Sequence, residues 1–238
     1  MMESKKKLGD FDTLKSLTIV NGLLTNLTPI RVGLGREPPL EASADVAVLR
    51  MRIDGRLVPY IPGSSLKGVF RSFIEQLARS TDSNIHEPWD FKAMEEEAKT
   101  GKPCAVCGIF GSTELASHIR IYDAYPSKDR EPLIRLKTGV VIDREFQGAR
   151  PGLLYTEEIV EPSYDWRFRM DIFNIPFPGT NDERSKYLSE LFDTLKKLGL
   201  QVGARKSVGM GLMILKEASY KTYVLENGAL KVVADGVI

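Results

Sequence analysis

Residues 61–79, Ile-Pro-Gly-Ser-Ser-Leu-Lys-Gly-Val-Phe-Arg-Ser-Phe-Ile-Glu-Gln-Leu-Ala-Arg, leave the chain little choice of local structure. Pro62 and Gly63 break the extended segment before them. Ser64 reads as an N-cap, its hydroxyl placed to accept from an otherwise unpaired amide of the first turn. Leu66, Val69, Phe70, Phe73, Ile74 and Leu77 then recur at i, i+3, i+4, i+7, i+8 and i+11, the apolar stripe of a helix lying on a core. Lys67 and Arg71 depart from this pattern. They sit in the first two turns, where the helix already carries partial positive charge, at a cost of about 0.3–1 kcal/mol per cation. A docked anion removes that cost, and Ser64, Ser65, the free amides and Lys67 suit a phosphate. A solvated lysine on an ordinary helix is the plainer reading, and these residues alone do not separate the two.

The flanking segments set the company this helix keeps. Residues 14–27, with Leu17, Ile19, Val20, Leu23, Leu24 and Leu27, read as a strand bulged at Gly22. Residues 28–45 hold Pro29, Gly33, Gly35, Pro38 and Pro39, which exclude regular structure. A loop that long inside a compact domain is functional or disordered. Residues 46–60 read as an extended hairpin turning at Asp54-Gly55. Residues 80–103 are polar and acidic and read as an insertion, with a short helix over 90–99. Residues 117–124 form a strand, with Ile119 and Ile121 on one face and Arg120 and Tyr122 on the other. Residues 138–157 look like a protruding hairpin or loop. Over 159–175, Trp166, Phe168, Met170 and Ile172 alternate with Arg167, Arg169 and Asp171, a strand with one apolar face. A second helix is expected at 180–198: Thr180 and Glu183 make a capping box, Leu188, Leu191, Phe192, Leu195 and Leu198 the stripe, and Gly199 the stop. A last core strand takes 209–217, and a terminal hairpin over 220–234 turns at Asn227-Gly228.

Strand, helix, strand, strand, helix, strand is the order of the ferredoxin-like βαββαβ unit, an α+β fold shared by the RRM. The chain then reads as one domain over 1–238, with its core at about 14–27, 61–79, 117–124 and 158–217. Insertions fall at 28–60, 80–116 and 125–157, and a C-terminal hairpin at 218–238. Topology alone does not give function.

A formal net charge of +1 over 238 residues excludes a global basic field, so any nucleic-acid site must be local. The opening Met-Met-Glu-Ser-Lys-Lys-Lys leads into no apolar run, and no stretch reaches the length of a membrane span; the expected compartment is the cytoplasm. Two cysteines make no disulfide framework, so Cys104-x-x-Cys107 reads as a metal or redox pair. His86 and His118 are the only histidines, which narrows the acid–base chemistry. Gly203-Ala-Arg-Lys-Ser-Val-Gly-Met-Gly211 follows the second helix. Gly203, Gly209 and Gly211 let a backbone come close to a phosphate, and Arg205 and Lys206 supply charge. The spacing fits neither the P-loop nor the dinucleotide fingerprint, so a nucleotide cofactor is not indicated. A glycine-rich turn into an edge strand is the plainer reading.

Four stretches together carry a family resemblance. YIPGSSLKGVFRSF (60–73) resembles the signature of the RAMP superfamily, the RNA-binding proteins of CRISPR ribonucleoprotein complexes. The glycine-rich segment 203–211 resembles that family's glycine-rich loop, VVIDREFQGARPGLLYTEEIV (140–160) its thumb, and GIFGSTELASHIRIYDAYP (108–126) the lead into the second core strand. Within the family the chain most resembles the repeated backbone subunit of type III effector complexes. The resemblance implies RNA contacts at Arg31, Ser64, Ser65, Lys67, Arg71, Asp143, Arg144, Gly203, Arg205, Lys206, Gly209 and Gly211. It implies CRISPR RNA, target RNA, other effector subunits and copies of the chain itself as partners. It also implies a thumb that pushes one base pair of the guide–target duplex apart at regular intervals.

Two further expectations rest on the same resemblance. In ADVAVLRMRIDGRLVPYIPGSSLKG (44–68), Asp45 stands where family members carry an aspartate that cuts target RNA, as general base or as ligand to a divalent metal ion. Glu37, Glu41 and Asp54 are its alternatives, and a solvated loop aspartate is the bland one. Some relatives carry a zinc knuckle near the cysteines, and His86, Cys104, Cys107 and His118 make four ligands for a structural zinc. The alternative is two reduced packing cysteines. As rival functions stand a guide-processing endoribonuclease of the same superfamily and a non-catalytic ferredoxin-like scaffold.

Overall fold

The structure, a computed structural model, describes residues 11, 13–33, 44–81, 84–128, 130–179 and 181–238. Glu37 and Glu41 lie outside the described residues. Strands β1 (Leu17–Asn26), β2 (Arg50–Ile53) and β3 (Arg56–Pro59) precede helix α1 (Gly63–Thr81). Helices α2 (Phe91–Thr100) and α3 (Ala105–Phe110) follow, then β4 (Ile119–Ile121), β5 (Tyr125–Pro126), β6 (Ile134–Ile142), β7 (Ala149–Val160) and β8 (Asp165–Phe173). Helix α4 (Glu183–Lys197), β9 (Leu200–Gln201), a 3-10 turn at Lys206–Val208, β10 (Leu212–Glu226) and β11 (Ala229–Val237) complete the order.

The main sheet runs β11-β10-β1-β8-β4, with β5 added to β8 and β9 to β10. All its pairings are antiparallel. The alternation read in the sequence places Trp166, Phe168, Met170 and Ile172 of β8 on the buried face. There they meet Val20 and Leu24 of β1, Leu66, Phe70 and Ile74 of α1, and Leu188, Leu191, Phe192 and Leu195 of α4. Phe168 sits between the two helices, edge-on to Phe70 at 6.1 Å and to Phe192 at 6.5 Å. The mixed α/β architecture with an antiparallel sheet is therefore as expected.

Several boundaries differ for local reasons. The register of β1 against β10 slips between Asn21 and Leu23, the expected bulge. Opposite it Glu217 takes a left-handed φ of 48°. That kink interrupts the period-2 pattern, so the expected separate strand 209–217 and hairpin 220–234 are one 15-residue strand, β10, with β11 paired to its second half. The expected strand 159–175 divides: β7 ends at Val160 and belongs to a hairpin with β6, and β8 begins at Asp165. Ser64 is not the N-cap of α1; the Pro62 carbonyl accepts from Ser65 and Leu66, which puts Ser64 inside the first turn. Asp182 caps α4, accepting from the Arg184 amide at 2.9 Å. Thr180, the cap expected from the sequence, lies outside the described residues.

Candidate nucleic-acid interface

The hairpin β6–β7 forms its own two-stranded sheet, and its root gathers three distant stretches of chain. Ile30 bridges Val160, and Val46 bridges Glu157. Adjacent acids on β7 clamp those stretches. Glu157, only 3% exposed, takes Arg31 at 3.2 Å and Arg205 at 3.3 Å on the same oxygen. Glu158 takes Arg50 at 2.9 Å and the Val48 amide at 2.9 Å. The side chain of Asp45 joins the same root: it is exposed, and its Oδ2 accepts from the Thr156 amide at 2.6 Å. Neither glutamate was singled out from sequence; two consecutive acids in an otherwise strand-like run were the available signal.

The glycine-rich turn packs on this root. Gly203 has φ of 89°, and a Cβ there would lie 2.3 Å from the Arg31 carbonyl oxygen. A Cβ on Gly211 would lie 2.0 Å from the Val202 carbonyl oxygen. Both glycines thus serve close approach of the chain to itself, while Gly209 faces open space. Arg205 takes a left-handed φ of 60°, its guanidinium 4.9 Å from the Tyr155 ring centroid. It remains 39% exposed beside Glu157, and Lys206 next to it is exposed. Arg31, by contrast, is turned inward onto Glu157.

At the start of α1 the chain supplies its own anion. Asp123 Oδ1 accepts from the Gly63 amide at 2.8 Å. Ser64 is exposed and Ser65 half-buried. Arg71 is committed to Glu75 at 2.8 Å and to the Gly111 carbonyl at 3.3 Å. Lys67 has no acidic partner among the described residues; burial, then the neighbouring Arg71, pull it below the ordinary lysine range. The glycine-rich turn is not adjacent to this helix start. It leads into β10, whereas the helix start abuts the chain just after β4, and β1 and β8 lie between.

The far end of the β6–β7 hairpin is shaped by Asp143, whose Oδ1 accepts from the amides of Glu145 at 2.9 Å and Phe146 at 3.2 Å. Arg144 is exposed there, and Phe146 projects with 83% of its surface free, a residue the sequence reading passed over.

His86, Cys104 and Cys107 converge as expected, but His118 does not join them. It is 2% exposed, and its carbonyl accepts from Phe173 at the sheet edge. Glu97 of α2 takes its place, 3.1 Å from His86 Nε2. Cys107 Sγ is 3.3 Å from the same nitrogen. Burial draws His86 down, but the Glu87 carbonyl, Cys104 and Glu97 outweigh it and hold the imidazole above its ordinary range.

The sequence family described as the RAMP superfamily matches residues 23–214. The chain is similar to the CRISPR system Cmr subunit Cmr6 of Pyrococcus furiosus, with 26% identity over 88% of this chain and 72% of that protein. It is also similar in fold to a chain in the cryo-EM structure of the type III-B Cmr-beta complex bound to cognate target RNA. That match has a TM-score of 0.55 and 20% identity over 86% of this chain, which spans 61% of the other's length.

Proposed function

This chain belongs to the RAMP superfamily, and on that footing we propose that it is an RNA-binding subunit of a type III CRISPR effector complex. The observation that carries the reading is the hairpin root, where the glycine-rich turn holds Arg205 beside Glu157 and leaves both Arg205 and Lys206 at the surface. Backbone phosphates are the chemistry those groups suit, which makes binding sequence-independent and salt-sensitive. The finer fold reading is a ferredoxin-like core: β10-β1-β8-β4 corresponds to fourth, first, third and second core strands, with α1 after the first and α4 after the third. Its partners in this reading are CRISPR RNA, target RNA, neighbouring effector subunits and copies of itself, in a cytoplasmic complex. No described helix is long and apolar enough to cross a membrane.

Phe146 at the hairpin tip is the group suited to part a base pair, being exposed, aromatic and held by the Asp143 turn. Asp45 is assigned target-strand cleavage in the stronger form of the reading. One of its oxygens is held by Thr156, which fixes the carboxylate at the hairpin root and leaves Oδ1 outside that contact for a proton or a divalent ion. A guide-processing nuclease using histidine is disfavoured: His118 is buried and His86 is turned onto Glu97 and Cys107.

The test is co-purification. Protein expressed with its neighbouring subunits should carry short RNAs of uniform length sharing one end, and the free subunit should bind unrelated RNAs with similar affinity. Failure of both would overturn the reading. Asp45→Ala should keep RNA binding and abolish regularly spaced cuts by the assembled complex; cuts stopped by Glu41→Ala or Asp54→Ala instead would move the role to that acid, and cuts unchanged in all three would leave the protein a binder only.

A further inference from the structure

We propose that His86, Glu97, Cys104 and Cys107 form a structural zinc site that staples helix α2 to the folded core. One ligand atom from each lies within 4.8 Å of all the others. A tetrahedral zinc with Zn–N and Zn–O bonds near 2.1 Å and Zn–S near 2.3 Å sets ligands about 3.3–3.8 Å apart. The Nε2–Oε1 and Nε2–Sγ separations of 3.1 Å and 3.3 Å need only a small expansion to meet that. Two thiolates beside an imidazole and one carboxylate favour zinc over magnesium or calcium.

Three further details point to a cation. Glu97 Oε2 is buried without a hydrogen-bond partner, an arrangement that is destabilising when left unmet. His86 Nδ1 is 2.9 Å from the Glu87 carbonyl, so the proton belongs on Nδ1 and the lone pair of Nε2 faces the cluster. The Cys107 amide donates to Cys104 Sγ at 3.4 Å, and the Cys104 amide donates to Glu97 Oε1 at 2.7 Å, which orient both ligands before any ion arrives. Ion binding would displace the thiol protons to solvent.

The fold explains why such a staple is useful. Met94 is the one buried residue of α2, so that helix has almost no core of its own. In contrast, Val106, Ile109 and Phe110 of α3 belong to the main core. An ion held by His86, by α2 and by the start of α3 ties the poorly packed part to the well-packed one. The site stands apart from the RNA-binding reading, and its test does not depend on RNA.

Protein purified without chelator should contain about one zinc per chain by elemental analysis. Cobalt exchanged into it should give thiolate-to-cobalt charge transfer and the intense visible bands of a tetrahedral ion. Titrating the thiols with a mercurial should release the zinc in step with two cysteines. Glu97→Ala should weaken zinc by more than about 100-fold, beyond what loss of an outer hydrogen-bond partner costs, with the circular dichroism of the sheet retained. Chelator should lower the melting temperature of the wild type and leave that of Cys104→Ser, already without zinc, unmoved. The proposal is overturned by zinc-free protein that gives no tetrahedral cobalt spectrum, by zinc that binds equally well to Glu97→Ala, or by a mass 2 Da low that reveals a Cys104–Cys107 disulfide in freshly purified protein.

Discussion

At the scale of single residues, the most informative group is a buried acid shared by two arginines. Glu157 holds Arg31 and Arg205 on one oxygen, so two guanidinium charges face one buried carboxylate. Removing the side chain strands Arg31, whose Nε is already buried without a partner, and Glu157→Ala should destabilise the fold by about 3–5 kcal/mol in urea melts. Glu157→Gln keeps the shape and removes the charge. It should bind RNA more tightly at low salt and steepen the dependence of log affinity on log salt by up to about 0.7, the value of one extra phosphate neutralised on a single strand. An unchanged slope would mean that Glu157 does not hold Arg205 or Arg31 back from RNA. The identities of Arg31, Arg205 and Asp45 were legible in the sequence, but their partners were not. Glu157 is 126 positions from Arg31 and 48 from Arg205, and no local pattern links them.

Elements were legible where each carried its own period, and misjudged where two local signals competed. Thr180 with Glu183 satisfies a capping pattern as well as Asp182 does, and only the observed turn gives the cap to Asp182. Asp182→Ala should cost about 1 kcal/mol at neutral pH. The Arg184 side chain, hydrogen-bonded to Asp182, holds that carboxyl below its ordinary range. A depressed carboxyl contributes stability above its ordinary value near pH 4 and loses it as pH falls through the folded value. The gap between wild type and variant in urea midpoint should therefore narrow below about pH 4. A gap constant down to pH 2 would assign the effect to packing. The hairpin tip gives a complementary expectation. Phe146→Ala removes a side chain 83% exposed, so the melting temperature should hold. Binding of a guide–target duplex by the assembled complex should weaken by about 1–3 kcal/mol, the value of one base–aromatic stack.

At the scale of the whole molecule, the net charge of +1 means that RNA binding must be carried by separate local clusters. The sheet keeps the start of α1 and the glycine-rich turn apart. Three strand spacings separate β10 from β4, about 14 Å across the sheet. Along β1, Met213 registers with Asn26, whereas Ile121 registers through Met170 with Val20, six residues away or roughly 20 Å. Together that is on the order of 25 Å, beyond a Debye length of about 8 Å, so the two clusters should act on RNA independently. They should also act unequally. Arg205 and Lys206 are both exposed, and Arg205 shares Glu157 with Arg31. Of the other pair, Lys67 alone lacks an acid among the described residues, because Arg71 is spent on Glu75 and the Gly111 carbonyl. At about 0.7 in slope per phosphate contact on a single strand, Arg205→Ala with Lys206→Ala should flatten the salt dependence by about 1.4. Lys67→Ala with Arg71→Ala should flatten it by about 0.7, and the quadruple variant by the sum, about 2.1, for RNAs of any sequence. Equal losses from the two pairs would show Arg71 released from Glu75 on binding. A quadruple effect smaller than the sum would show that the bound RNA bridges the clusters cooperatively, which the intervening strands argue against.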